Sequence, residues 1–144
     1  MLALLLAAPA SASGLSTAES SLLAEVNRTR AAHGLAPLRV DWNLQRAARS
    51  HSGDMLRRGY FGHGPWAQRI RSFGVKGPRV GENIAWGAGT TSRPRAIVGM
   101  WLNSPPHRAN LLRPGFRRIG LAAPRGTFAG RRGTAVVTAN FAGS

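Results

Sequence analysis

The stretch from Phe116 to Phe141, FRRIGLAAPRGTFAGRRGTAVVTANF, decides the fold class. Two β-branched or aromatic runs, Phe116 to Ala123 and Thr134 to Phe141, flank a Gly/Arg-rich turn around Gly126 to Gly133. Such side chains suit a pleated, half-buried surface, so the pattern predicts an antiparallel hairpin. Upstream the period is helical. Leu22, Leu23, Val26 and Arg30 recur at helical spacing before Gly34, which predicts a helix over Ser20 to His33. Asp41 is a candidate N-cap for a second helix to Arg58, with Leu44, Ala47, Ala48, His51 and Met55 as its buried stripe. Trp66 to Phe73 reads as one or two helical turns, and Val80 to Trp86 as a short strand. A third substantial helix begins at Pro94 with Ser92 as its cap, stops at Pro105-Pro106, and is followed by a turn over Arg108 to Leu112. Helices first and strands last indicate an α+β domain with a small antiparallel sheet between helices.

The remainder of the 144 residues bounds that domain. Leu2 to Ala8 is a short apolar run, Pro9 breaks it, and Ala10-Ser11-Ala12 offers a processing site, so residues 1–12 read as a secretory signal peptide. No Lys or Arg precedes the run, which leaves room for a start farther upstream. The run is far below the ~20 apolar residues that a spanning helix needs, so no transmembrane segment is expected in the mature chain. Residues 13–20 are small and polar and are expected to be flexible, and residues 21–144 make one domain. The absence of cysteine excludes disulfides, thiolate metal sites and thiol nucleophiles.

The net charge of +15 is unevenly spread: residues 1–54 carry +1 and residues 55–144 carry +14, with Glu82 the only acid in the second part. Such a surplus attracts anions. For an exported chain the nearest polyanions are cell-wall polymers, peptidoglycan and lipid head groups. No nucleic-acid partner is expected, because the basic residues lack the aromatic interleaving of a stacking platform.

Four histidines and five acids make the list of candidate reactive groups short. His33 at a helix end suits the helix dipole, and His51 on an apolar stripe reads as a packed, hydrogen-bonded histidine. Glu25 and Asp54 read as solvated helix-surface acids. His63, Glu82 and His107 differ, because each sits beside Gly or Pro in what reads as a loop: Gly62-His63-Gly64, Gly81-Glu82-Asn83 and Pro105-Pro106-His107. No metalloprotease, nucleophile-elbow, P-loop or dinucleotide-binding motif is present.

Taken in order, these segments carry a resemblance. LLAEVNRTRAAHGLAPLR at 22–39 is followed by Tyr60-Phe61-Gly62-His63, by GENIAWG at 81–87, by MWLNSPPHRAN at 100–110 and by FRRIGL at 116–121. The succession resembles the CAP superfamily of cysteine-rich secretory, antigen-5 and pathogenesis-related proteins, most closely its bacterial secreted branch. The resemblance implies an α-β-α sandwich around a three-stranded antiparallel sheet, with a cleft lined by two histidines and two acids. By position, those are His63, Glu82 and His107. The second acid is missing, since its places hold Asn103, Ser104, Pro105 and Pro106.

Two imidazoles and one carboxylate suit a divalent metal such as zinc, with His63, His107 and Glu82 as its ligands, and equally suit a sugar or an anion without metal. The expected function is therefore a secreted or wall-associated module that binds cell-envelope glycan, anionic polymer or lipid. The alternative is a cell-wall hydrolase, metal-assisted, with Glu82 as general base, although glycosidases normally use two carboxylates. A non-catalytic scaffold is the third reading, with the loop histidines serving only the fold.

Overall fold

The computed structural model describes residues 14–143, so the signal peptide read at 1–12 lies outside the described residues. The first helix, α1 (Thr17–Ala32), starts three residues earlier than its apolar period suggests. Ser16 caps it by accepting from the Glu19 backbone N–H, and Glu19 returns a bond to the Ser16 N–H. That reciprocal capping box was written in the sequence as Ser16-Thr17-Ala18-Glu19. It also orders much of the tail expected to be flexible. The helix α2 (Trp42–Arg58) is capped by Asp41 and closed by Gly59 in the left-handed conformation, as its sequence indicates.

Five strands follow the order β1 (Arg39–Val40), β2 (Val80–Gly87), β3 (Phe116–Ala122), β4 (Arg125–Phe128) and β5 (Arg131–Gly143) along the chain. In space the sheet runs β1-β3-β5-β2, with β4 also paired to β5. The expected three-stranded antiparallel sheet is present as β3-β5-β2. The two additions are β1, parallel to β3, and β4, which forms the hairpin with β5 inside the stretch read as a turn. Two residues are too few to show a period, which is why β1 is invisible in the sequence.

Side chains alternate across the sheet, so each strand feeds both layers. Odd positions such as Ile119, Leu121, Val137, Ala139 and Phe141 form the larger core with Leu22 and Val26 of α1. Ile97, Val98 and Trp101 of α4 (Pro94–Leu102) complete that layer. Even positions face α2 and α3 (Trp66–Ser72): Ala142 packs with Leu44 and Ile70, and Ile84 and Val136 pack with Met55. The result is the α-β-α sandwich. The α2 layer is fixed to the sheet at backbone distance, because a Cβ added to Gly120 would lie 2.1 Å from the Leu44 carbonyl carbon. The Gln45 side-chain amide reinforces the seam by pairing with both the N–H and the carbonyl of Leu121.

Two local expectations are corrected. Ser92 does not cap α4; it belongs to a 3-10 turn, Gly89–Ser92, and its hydroxyl donates to the Gly89 carbonyl. Pro105-Pro106 does not lead into a turn but opens a further helix, α5 (Pro105–Leu111). Proline lacks an N–H, so it ends the preceding helix and suits the first turn of the next equally well.

Candidate functional site around Glu82

The site lies at β2, the edge strand of the sheet, where the two layers meet. Of the three residues read as loop residues, only His63 is in a loop, the segment 60–65 between α2 and α3. Glu82 is on β2 and His107 is in the first turn of α5. The sequence concealed this because glycine and proline neighbours, taken as loop markers, here serve close packing and helix initiation. A Cβ on Gly81 would come within 2.9 Å of Asn110 Oδ1 and 3.0 Å of the Phe116 ring, so only glycine lets α5 lie so near β2.

Register explains where the side chains go. Glu82 pairs with Asn140 on β5, which pairs with Gly120 on β3, so all three share the face toward α2. Asn83 faces the opposite layer and donates to the His107 carbonyl at 2.9 Å. Asn110 donates to the Glu82 carbonyl at 3.2 Å and to Asn83 Oδ1 at 3.1 Å. These amides clamp α5 to the strand and set His107 beside His63, with ring centroids 6.1 Å apart.

The Glu82 carboxyl is buried, and both of its oxygens are engaged. One oxygen accepts from His63 Nδ1 at 2.9 Å and lies 3.8 Å from His51 Nε2. The other is ion-paired with the Arg69 guanidinium from α3. The Asn140 amide, oriented so that donors meet acceptors, donates to that second oxygen at 2.9 Å and accepts from the Ala48 N–H at 3.2 Å. A carboxylate only accepts, so His63 donates through Nδ1, and its Nε2 makes no bond to Glu82. The His63 side chain is 41% exposed, which makes it the accessible member of the network.

His51 is buried, as its place on the apolar stripe indicates, and its Nε2 donates to the Gly62 carbonyl at 2.8 Å. It thereby holds the loop carrying His63 while standing behind Glu82. Arg69 does the same from the other side, donating to the His63 carbonyl at 2.9 Å. Burial pushes the His51 pKa below the usual imidazole value; Arg69 and His63 add to this, and Glu82 and the Gly62 carbonyl oppose it. Burial, then His63, lowers that of His107 as well. His33 is exposed at the end of α1, bonded to the Thr29 carbonyl. Asp54 and Glu25 are paired with neighbouring arginines on their own helices.

Sequence reasoning did not single out Arg69, one of nineteen arginines on a helix too short to show a period. Its presence bears on a metal at this place. A divalent cation on Glu82 would have to displace a guanidinium already paired there, and among the described residues no three His, Cys, Asp or Glu are grouped to hold a metal ion. The arrangement does not fit a three-ligand metal centre.

Comparison with known proteins agrees with this architecture. The model of the cysteine-rich secretory protein family, CAP, matches residues 23–141. The Bacillus subtilis protein YkwD is 38% identical over 114 residues, which is 76% of this chain and 43% of that protein. An extracellular protein of Bacillus anthracis containing an SCP domain superposes with a TM-score of 0.71 at 30% identity, over 88% of this chain and 40% of that one. The chain thus spans less than half the length of either. An outer surface protein of Borrelia burgdorferi shares the fold with a TM-score of 0.72 at 20% identity, over 88% of this chain and 93% of its own. The chain belongs to the CAP family of cysteine-rich secretory proteins.

Proposed function

We propose that this CAP domain acts outside the cell as a binding module, holding a cell-envelope ligand, glycan, anionic polymer or lipid, against His63 and His107. The observation that supports binding over chemistry is the state of Glu82. Both its oxygens are spent on Arg69, His63 and Asn140, so its role is to orient His63 rather than to abstract a proton. The two imidazoles then offer an acceptor and a donor to sugar hydroxyls or to anionic oxygens. The net charge of +15 favours retention near anionic polymers.

The test is sedimentation of the purified protein with isolated peptidoglycan. Retention should fall several-fold in His63→Ala and in His107→Ala, each still folding cooperatively, with no soluble fragments released from the wall. Retention indifferent to both substitutions would overturn the reading. Retention should also weaken as salt is raised, since exposed charges are screened beyond about 8 Å at 0.15 M.

A hydrolase is the second reading, and one observation favours it. An imidazole oriented through Nδ1 by a buried carboxylate, with Nε2 free, is the geometry of a general base. In this form His63 takes the proton and Glu82 stands behind it. Release of soluble fragments by the parent but not by His63→Ala would establish it.

A further inference from the structure

All five side-chain carboxylates of this protein are already committed. Glu19 pairs with Arg49, Glu25 with Arg28, Asp41 with Arg118, Asp54 with Arg57 and Arg58, and Glu82 with Arg69. Any other group of arginines gathered at one place must find its counter-charge outside the chain's own acidic side chains. One such group exists, on the far side of Asn110 from Glu82. Arg71 of α3, Arg79 before β2 and Arg113 after α5 line one hollow of about 420 Å³, together with Asn110 and Phe116 and with no carboxylate in its wall.

The three come from separate elements, and two are held in place. Arg71 donates to the carbonyls of Val75 and Gly77, which fixes its guanidinium beside the hollow. Arg113 lies with its guanidinium 5.3 Å above the centre of the Phe116 ring, and its backbone carbonyl is gripped by the buried Arg30. Its Nε is buried without a hydrogen-bond partner. A buried donor left unpaired costs about 1–3 kcal/mol, and like charges collected around a concave surface focus a positive potential. An anion entering the hollow is drawn in by that potential.

We infer that this hollow binds a phosphoryl group carried on a small polyol, at a site separate from His63 and His107. Three guanidinium forks approaching from three elements match a tetrahedral oxyanion, which presents several acceptor oxygens at once, better than a planar carboxylate. The volume exceeds that of a phosphate alone and is in the range that small organic ligands occupy. The Phe116 ring and Asn110 supply the apolar wall and the polar contact that a glycerol-sized substituent needs.

The probes are inorganic phosphate and glycerol phosphate, titrated into the whole chain and followed by calorimetry and amide NMR shifts. Saturable one-to-one binding is expected, tighter for the ester. The Arg71→Gln/Arg79→Gln pair should weaken it by about tenfold or more, since each lost charge-assisted bond is worth that much. An Arg131→Gln/Arg132→Gln pair removes the same charge from the exposed start of β5 and should change it by less than about twofold. Because Arg71 also holds the Val75–Gly77 turn, the single Arg79→Gln variant, with Tm unchanged, must move the affinity in the same direction. Equal losses in the two pairs, or no saturation by either probe, would overturn the assignment.

The source of the phosphoryl group is read with phosphatidylglycerol vesicles. Flotation that glycerol phosphate displaces assigns a lipid head group to the site. Binding of the soluble ester without flotation assigns a water-soluble polyol phosphate. Flotation indifferent to Arg71 and Arg79 counts against the site. Wall retention in His63→Ala and phosphate affinity in Arg79→Gln are independent readouts, so this inference and the proposed function fail separately.

Discussion

Of the buried charged side chains, Arg30 and Glu82 are accommodated by opposite means. Arg30 of α1 is fully buried and meets no carboxylate. Its guanidinium donates to the backbone carbonyls of Ala36, Leu111, Arg113 and Phe116 at 2.9–3.2 Å. Glu82 is buried among side chains, the guanidinium of Arg69, the imidazole of His63 and the amide of Asn140. Carbonyl dipoles of the main chain cannot titrate, rotate away or be replaced by a ligand, so the Arg30 socket is a staple between α1 and the segment joining α5 to β3. The partners of Glu82 are side chains that can rotate, and one of them is exposed. A buried charge serves the fold where the backbone answers it, and is available to function where side chains do.

That contrast is broken most directly at Arg30. Replacing it with Met removes four hydrogen bonds and leaves buried carbonyls without donors, so Arg30→Met should cost about 3–5 kcal/mol in urea unfolding. A loss below about 1 kcal/mol would show the staple to be dispensable. Glu82→Gln is expected to cost less, about 2–3 kcal/mol, because the amide oxygen still accepts from one of Asn140 and His63 while the partly buried Arg69 is left without its anion. Adding Arg69→Met to that background should return part of the loss, and a double-mutant cycle should give a coupling above about 1 kcal/mol.

A difference in pH response sharpens the contrast further. Burial holds the His51 and His107 pKa values below the ordinary imidazole value of 6.5. Above that value both rings are neutral in the folded and unfolded chain, and no penalty exists. As pH falls through it, the unfolded chain takes up protons first, so folding stability declines toward the lowered folded-state values. Thermal scans from pH 7.5 to 5 should show Tm falling, and His107→Asn should flatten the slope. Arg30→Met should lower Tm without changing that slope. The smallest effect is at the start of the same helix: Ser16→Ala removes the capping box and should cost about 1 kcal/mol.

What could be read in the sequence follows the same division. His63 stood out between two glycines and Glu82 between a glycine and an asparagine, and the helix of His51 could be drawn from its apolar stripe and its Asp41 cap. Arg69 could not be found, since nothing local marks which arginine will lie across from an acid thirteen residues away. Its role exists only once α3 docks beside β2. His107 was placed correctly beside a pair of prolines and assigned to the wrong local structure, because a proline pair marks the end of one helix and the start of another with the same letters. The hairpin was legible from side-chain type. Its partner β1, set by tertiary pairing with Arg118 and Ile119, was not. The paired Ser16 and Glu19 were legible and outweighed by a hydrophobic count that began at Leu22.

The missing side chain at Gly120 governs how this protein can move. With the α2 backbone lying directly on β3, that helix has no room to slide or tilt against the sheet, and His51 travels nowhere. Room for local adjustment therefore lies on the opposite bank. There Gly62 and Gly64 flank His63 with open space around both, and Gly64 already adopts a left-handed backbone at φ 57°. The histidine thus sits on a short loop, gripped at two carbonyls by His51 and Arg69, over a helix that close packing pins to the sheet.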